Sequence, residues 1–338
     1  MSLGVAEACR ALGRGFSPVA AFDIDPAALK TYSLNFGLHE PMPADLGTLL
    51  APRLGTRMTP AERALKRRVG RVDIVVAGPP CQGHSNLNNA TRRNDPRNGL
   101  YFRVARFAEL FAPSFIFVEN VAMVLHDHGN VVEQTRRGLE SLGYIVSHGI
   151  VDLSRLGLAQ RRRRHVMLAT MAGSGSALPR IEEIVELHAR PPRSLRWAIG
   201  DLKGFHSKSP IDRPTGLKPE TQRRIDFLFD HDLYDLPDSE RPACHRDKVH
   251  SYGSVYGRLR WNQPAPTITG GFDTMGRGRF VHPGLRRTLT PREGARIQGL
   301  PDWFDFSPVM LKRSNLVRTI GNAVPPRLTY VLALECLR

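Results

Sequence analysis

Cys81 stands in Gly78-Pro79-Pro80-Cys81-Gln82-Gly83, a place where a purely structural cysteine is unexpected. The run before it, Arg71 to Ala77, is short, rich in Val and closed by a Gly-Pro-Pro turn, which predicts a buried parallel strand. A thiol just past the carboxyl end of such a strand lies where open α/β sheets bind their ligands. Two prolines fix φ ahead of it, so the loop is stiff and the thiol is aimed. Packing as a small buried hydrophobe is the commoner fate of a free cysteine; the loop setting favours a nucleophile instead.

Other chemistry-bearing residues follow at strand ends. Glu119-Asn120-Val121 comes after the strand-like run Ser114 to Val118 and puts a carboxylate at the same rim. Gln160-Arg161-Arg162-Arg163-Arg164 precedes the strand-like run His165 to Ala169, and the blocks Arg296-Ile297-Gln298-Gly299-Leu300-Pro301 and Gly321-Asn322-Ala323-Val324-Pro325-Pro326 come later. Taken singly, each has a plain explanation. Glu119 could be a solvated strand-end carboxylate, the arginines a solvated basic face, and Asn120 a side chain that ties down a turn. Together and in this order, from Gly78 to Pro326, the five blocks resemble those of the cytosine-C5 DNA methyltransferases.

The resemblance implies methyl transfer from S-adenosylmethionine to C5 of a cytosine flipped out of a specific duplex DNA sequence. C5 of cytosine is a poor nucleophile until the ring's conjugation is broken. Addition of a thiolate at C6 breaks it, the role implied for Cys81. Charge then flows toward N3 and O2 and must be neutralised as it develops. Glu119, protonated or sharing a proton with N3, and Arg164, donating to O2, match the family's groups for this, with Arg162 supporting the loop. A water-poor pocket favours the protonated form of a carboxyl group. For the cofactor, Asp23 matches the strand-end acid that bonds the ribose hydroxyls. Ile24 would pack on the adenine and Asp45, ahead of Leu46, would bind its amine. Ser2, Gly78, Pro80, Leu100, Asn322, Ala323 and Val324 match further cofactor positions. Asp25 remains the N-cap of a helix from Pro26 to Phe36. DNA contacts are expected from Gln82, Ser85 and Arg97 in the polar loop 84–98 and its approach, and from Arg258, Thr267, Arg277 and Arg279. Arginine forks suit guanine edges, but phosphate contact is the commoner fate and is expected for most of them.

The implied architecture is α/β: a Rossmann-like methyltransferase domain, residues 1–178 and 308–338, with a smaller, mostly irregular target-recognition domain, 179–307, inserted before the C-terminal helix. The linker Met171 to Ala177 is rich in Gly and Ser. Composition agrees with a polyanionic partner: 338 residues carry a formal charge of +16. A high-GC genome rich in arginine codons is the competing explanation. Four scattered cysteines favour a reducing compartment. Cys244-His245 with His250 lacks the paired Cys-x-x-Cys spacing of zinc sites, so no metal is expected. No apolar run reaches membrane-span length. The expected setting is the bacterial cytoplasm at the nucleoid, with the enzyme working as a monomer on double-stranded DNA. A cognate restriction endonuclease acting on the same site is a candidate partner. Two rival readings stay open: an RNA methyltransferase of the same superfamily, and a DNA-binding relative without activity.

One departure from the family pattern stands out. Members open with a strand and a Phe-x-Gly-x-Gly-Gly turn, whereas Met1-Ser2-Leu3-Gly4 resembles the residues just after that turn. The expectation is that the natural polypeptide begins upstream by about ten to twenty residues, enough for one strand and turn. The chain numbered from Met1 would then bind cofactor weakly and be unstable or inactive, unless the basic, helix-prone stretch Thr48 to Gly70 fills the gap.

Overall fold

A computed structural model of the protein describes residues 1–80, 99–173, 180–205, 207–246 and 255–338. In chain order the elements are α1 (Ser2–Ala11), β1 (Phe22–Asp23), α2 (Pro26–Phe36), β2 (Met42–Pro43), α3 (Leu46–Leu49), α4 (Pro60–Val69), β3 (Ile74–Ala77), α5 (Arg103–Phe111), β4 (Phe115–Val121), α6 (Val131–Ser141), β5 (Tyr144–Asp152), β6 (Arg163–Met171), α7 (Ile181–Leu187), α8 (Leu195–Ile199), α9 (Pro219–Asp230), α10 (Pro291–Ile297), α11 (Arg313–Asn322) and α12 (Pro326–Leu337).

These fall into two compact units: Met1–Leu153, Arg163–Ala189 and Pro326–Arg338 make the first, Ser154–Arg162 and Arg190–Pro325 the second. The boundaries differ from the expected 179 and 308. Helix α7 stays with the first unit, and 308–325, including α11, goes with the second. The excursion Ser154–Arg162 was not anticipated. It is anchored in the second unit by Gln160, which accepts from Ile268 N (2.9 Å), and by Arg162, which donates to Ile268 O (3.0 Å).

In the first unit β3 runs parallel to β4, β4 antiparallel to β6 and β6 antiparallel to β5, giving the order β3-β4-β6-β5. One face is covered by α5 and α6, whose Val104, Ala105, Ala108, Val132 and Leu139 pack with Val118 and Met167 of the sheet. On the other face Ile181 N at the start of α7 donates to Ser147 Oγ of β5 (3.1 Å), and α7 also packs against α12. Helix α1 lies on α12 at very short range: a Cβ on Gly4 would come within 2.1 Å of Pro326 O. Thr329 Oγ1 of α12 donates to Met1 O (2.6 Å).

The run Pro18 to Phe22 predicts a strand ending at Asp23, but the strand formed is only the two-residue β1, which among the described residues pairs with β2 alone, in parallel. Among the described residues no strand joins this pair to the edge of β3. Phe22 and Val75 nevertheless border one apolar cluster with Met42, Leu50, Leu65, Val69 and Leu110. In the stretch Thr48 to Gly70 the regular structure is helical, the end of α3 and the whole of α4, with irregular chain between them, so it supplies no strand there.

The second unit is mostly irregular, built from short helices and isolated bridges such as Gln160↔Ala265 and Arg258↔Val281. Its core includes Ile225, Leu228, Leu236, Tyr256, Met275 and Val281. No helix of the described residues is long and apolar enough to cross a membrane.

Candidate active site

Strand β4 is buried from Ile116 to Asn120 and continues past Glu119 to Val121, three residues beyond Val118, where the apolar run ends. Antiparallel pairing with β6 explains the extension, since Glu119 faces Val166, Asn120 faces His165 and Val121 faces Arg164. Paired residues share a face and neighbours along a strand alternate, so Glu119 and Arg164 emerge on the same side. Arg164 Nε lies 2.8 Å from Glu119 Oε1, with side chains only 12% and 9% exposed. This ion pair falls outside hydrogen-bond alignment, so the buried Oε1 keeps its capacity to accept a hydrogen bond. A second arginine nitrogen, NH1, donates to Arg163 O (2.8 Å) and holds the guanidinium in place.

Asn120 is buried on the opposite face, where its Nδ2 donates to Pro79 O (3.4 Å) and its Oδ1 accepts from Val121 N (2.8 Å). It thereby ties β4 to the Gly78-Pro79-Pro80 turn that follows β3. Cys81, Gln82, Ser85 and Arg97 lie outside the described residues. Below Asn120 a buried polar line runs from the Tyr101 hydroxyl to His165 Nδ1 (3.2 Å) and from His165 Nε2 to His148 Nδ1 (3.2 Å). Burial, then the Glu119 carboxylate, pushes the Tyr101 hydroxyl well above the usual phenol range. Burial, then His148, pulls His165 down to about 3, which keeps it neutral.

At the carboxyl ends of β1 and β2 the chain exposes Asp23, Ile24 (76% exposed) and Asp45. Each carboxylate spends one oxygen locally: Asp23 Oδ1 accepts from Asp25 N (2.9 Å) and Asp45 Oδ1 from Gly47 N (2.7 Å). Leu46 is half-buried, and Leu100 lies against Gly47, 3.1 Å from where a Cβ would be, so this part of the chain gathers at Asp45. Gly78 is exposed, with none of the described residues within 4 Å of where a Cβ would be. Ser2 is buried and its Oγ accepts from the Tyr32 hydroxyl (3.1 Å). In the second unit Asn322 is exposed, Ala323 and Val324 are half-buried, and Ala323 O accepts from Gln298 Nε2 (3.2 Å).

Several expected site residues have internal employment. The Arg162 guanidinium is buried against Ile268 O and Gly321 O (3.0 and 3.4 Å). Arg258 donates twice to Pro283 O, pairs with Asp232, and stacks on Phe229 and Tyr234. Arg279 donates to Tyr234 O and Arg258 O and pairs with Asp235. Thr267 Oγ1 donates to Arg161 O (2.9 Å). The reason is common to all four: an unpaired loop carbonyl is costly to bury, and an arginine fork or hydroxyl within reach satisfies it. Of the expected DNA contacts described here, Arg277 alone is exposed.

Sequence reasoning overlooked Gln160 and Gln298, both fully buried. Gln160 Nε2 donates to Gln298 Oε1 (2.8 Å), and Gln298 Nε2 donates to Ile320 O (2.8 Å). The two glutamines lock three of the sequence blocks together. The available signal was that each is a fixed member of its block.

A model of the C-5 cytosine-specific DNA methylase family matches residues 1–338. The chain belongs to this family. It is similar to the Type II methyltransferase M1.BsuMI of Bacillus subtilis (strain 168), 44% identical over 338 residues, covering 100% of this chain and 78% of that one. It also resembles the Type II methylase M.HgiDII of Herpetosiphon aurantiacus, 33% identical over 274 residues, or 78% and 76% of the two chains. Among solved structures, S. pombe Dnmt2 methyltransferase shares the fold with a TM-score of 0.67 at 17% identity, covering 98% of this chain and 94% of that one. A putative DNA modification methyltransferase from an E. coli prophage does so at 0.65 and 23%, over 99% and 94%.

The protein is thus a DNA (cytosine-5-)-methyltransferase whose methyl donor is S-adenosylmethionine. The rim of β1 and β2 suits that donor. Two carboxylates, each with an oxygen to spare, can take diol and amine donors, and the exposed Ile24 offers an apolar surface for a flat ring.

Proposed function

We propose that the enzyme flips its target cytosine out of a specific duplex sequence and methylates it through a covalent bond between Cys81 and C6. Glu119 carries the proton that N3 receives as the thiolate adds and the ring's electrons move. Arg164 donates to O2, the other atom on which charge collects. Bound S-adenosylmethionine supplies an electrophilic methyl group to C5. Loss of the C5 proton to water, return of the N3 proton to Glu119 and elimination of the Cys81 thiolate restore the ring. Asp23, Ile24 and Asp45 hold the cofactor's nucleoside, and Asn120 fixes the Gly78-Pro79-Pro80 turn that precedes Cys81 in sequence. The second unit, with Arg277 on its surface, reads the DNA. The Type II designation of the relatives supports action beside a restriction endonuclease on the same site. We further assign the enzyme to the bacterial cytoplasm at the nucleoid, as a monomer.

The observation that carries this reading is the buried Glu119 Oε1, charge-paired by Arg164 yet without an aligned donor. A site so built accepts an N–H from a ligand. The test is Cys81→Ser with duplex DNA containing 5-fluorocytosine at the target. Wild type should be trapped covalently, whereas the variant should bind DNA without trapping or methylating. Residual methylation by the variant within about tenfold of wild type would remove Cys81 from the mechanism.

A further inference from the structure

The stretch between α3 and β3 has no part in the chemistry above, yet the fold fastens it down unusually well. The Thr59 side chain caps α4 by accepting from Glu62 N (3.1 Å), and Glu62 Oε2 reaches back to Thr59 N (2.8 Å). Glu62 Oε1 also accepts from Ala51 N (2.8 Å). Arg106 of α5 grips the same carboxylate with Nε and NH2 (2.8 and 2.9 Å) and donates to Thr56 O (3.1 Å). Glu109 Oε1 takes Gly55 N (2.7 Å). Leu65 and Val69 complete the attachment in the apolar cluster beneath.

From Arg53 to Arg71 the exposed charged side chains of this segment are all cationic. Arg53, Arg57, Arg63, Lys66, Arg67, Arg68 and Arg71 are exposed. Arg68 pairs with Glu40 and Arg71 with Asp73. Among the described residues no carboxylate pairs with Arg53, Arg57, Arg63, Lys66 or Arg67. None of the exposed large hydrophobic side chains falls between 48 and 71. A protein partner is normally anchored by buried apolar or aromatic residues, which this face lacks. A phosphate backbone asks only for charge, and a helix already held rigid gives it that with little ordering cost.

We propose that the 53–67 face of α4 and its leading loop is a second contact surface for duplex DNA, gripping the phosphate backbone outside the target base pairs. This rests on duplex DNA as the substrate. Its test compares wild type with the set Arg57→Ala, Arg63→Ala, Lys66→Ala and Arg67→Ala. Binding to a duplex of about forty base pairs carrying the target is measured from low to physiological salt. Four lost phosphate contacts should reduce the slope of log K against log salt by about 3 to 4. A duplex barely longer than the target should show a much smaller change. The Arg57→Lys, Arg63→Lys and Arg67→Lys set keeps the charge and should bind as wild type, which separates charge from folding. Equal slopes for wild type and the alanine set overturn the proposal. So does an unchanged slope together with lost binding to polyglutamate, which would point to an acidic protein. If wild type itself showed no affinity for the duplex, the reading of substrate would fail, not this surface alone.

Discussion

Replacing Glu62 by Gln tests whether the Arg106–Glu62 pair organises the first unit. The two side chains are 1% and 0% exposed and meet through two hydrogen bonds. Glu62→Gln keeps the shape but removes the charge, leaving the buried guanidinium with Glu109 as its remaining carboxylate. Breaking one partner of a buried pair costs about 3–5 kcal/mol, and Glu109 should hold the loss near the lower end. The lowered pKa of the carboxyl group leads to a similar figure. Hydrogen bonding to Arg106, its largest cause, pushes Glu62 down from 4.5 to about 2. At about 1.4 kcal/mol per pH unit that shift corresponds to roughly 3 kcal/mol. Because the folded value is the lower one, this stability is present above about pH 4.5 and disappears as pH falls toward 2. For a domain of this size the loss should lower Tm by about 6–12 °C. Chemical denaturation of Glu62→Gln, Arg106→Met and the double variant would supply the cycle. The double variant should lose markedly less than the sum of the singles. A single variant within about 1 kcal/mol of wild type, additive losses, or an unaltered acid limb in Glu62→Gln would refute the reasoning.

Gly4→Ala should cost about 3 kcal/mol or more, since its Cβ would press on Pro326 O and Thr329 Oγ1 within 2.1 and 2.3 Å; a melting point unchanged from wild type would show that α1 can move off α12 freely. His165 and His282 are lowered to about 3 and about 4, chiefly by burial. Their folded values lie below the unfolded one, so stability should fall as pH drops from about 6.5, by about 2 kcal/mol per histidine at pH 5. His165→Gln should flatten that slope in calorimetry between pH 7 and 5. Gln298→Leu should cost about 2–3 kcal/mol by removing the donor to Ile320 O and leaving Gln160 Nε2 only its long bond to Ile297 O, and an unperturbed denaturation midpoint would argue against the amide lock.

Local rules made much of the first unit legible. Asp25 caps α2 by accepting from Ala27 N, Pro26 occupies the first turn, and Gly37 and Gly143 end their helices with positive φ. Those signals depend on a few neighbouring residues. The β1 expectation failed because a strand's length is set by its partners, and β1 has only the two-residue β2. Glu119 and Arg164 could be named from their blocks, but their shared face follows from the β4–β6 register, which sequence does not display. In the second unit the arginines could not be sorted by sequence alone. Exposed and buried guanidinium groups read alike in sequence, and only the loop carbonyls around Arg162, Arg258 and Arg279 decide which is which.

The docking of α1 on α12 has a bearing on how the enzyme is made. Thr329 reaches Met1 across 328 positions of sequence, so α1 is synthesised long before the helix it docks on. At about 5–20 residues per second, α1 spends on the order of tens of seconds without its partner. The second unit runs to Pro325, so its last residues are made just before α12, and the first unit stays open until then. Premature termination ahead of α12 would therefore leave the apolar side of α1 bare. Such fragments are natural clients for chaperones and proteases.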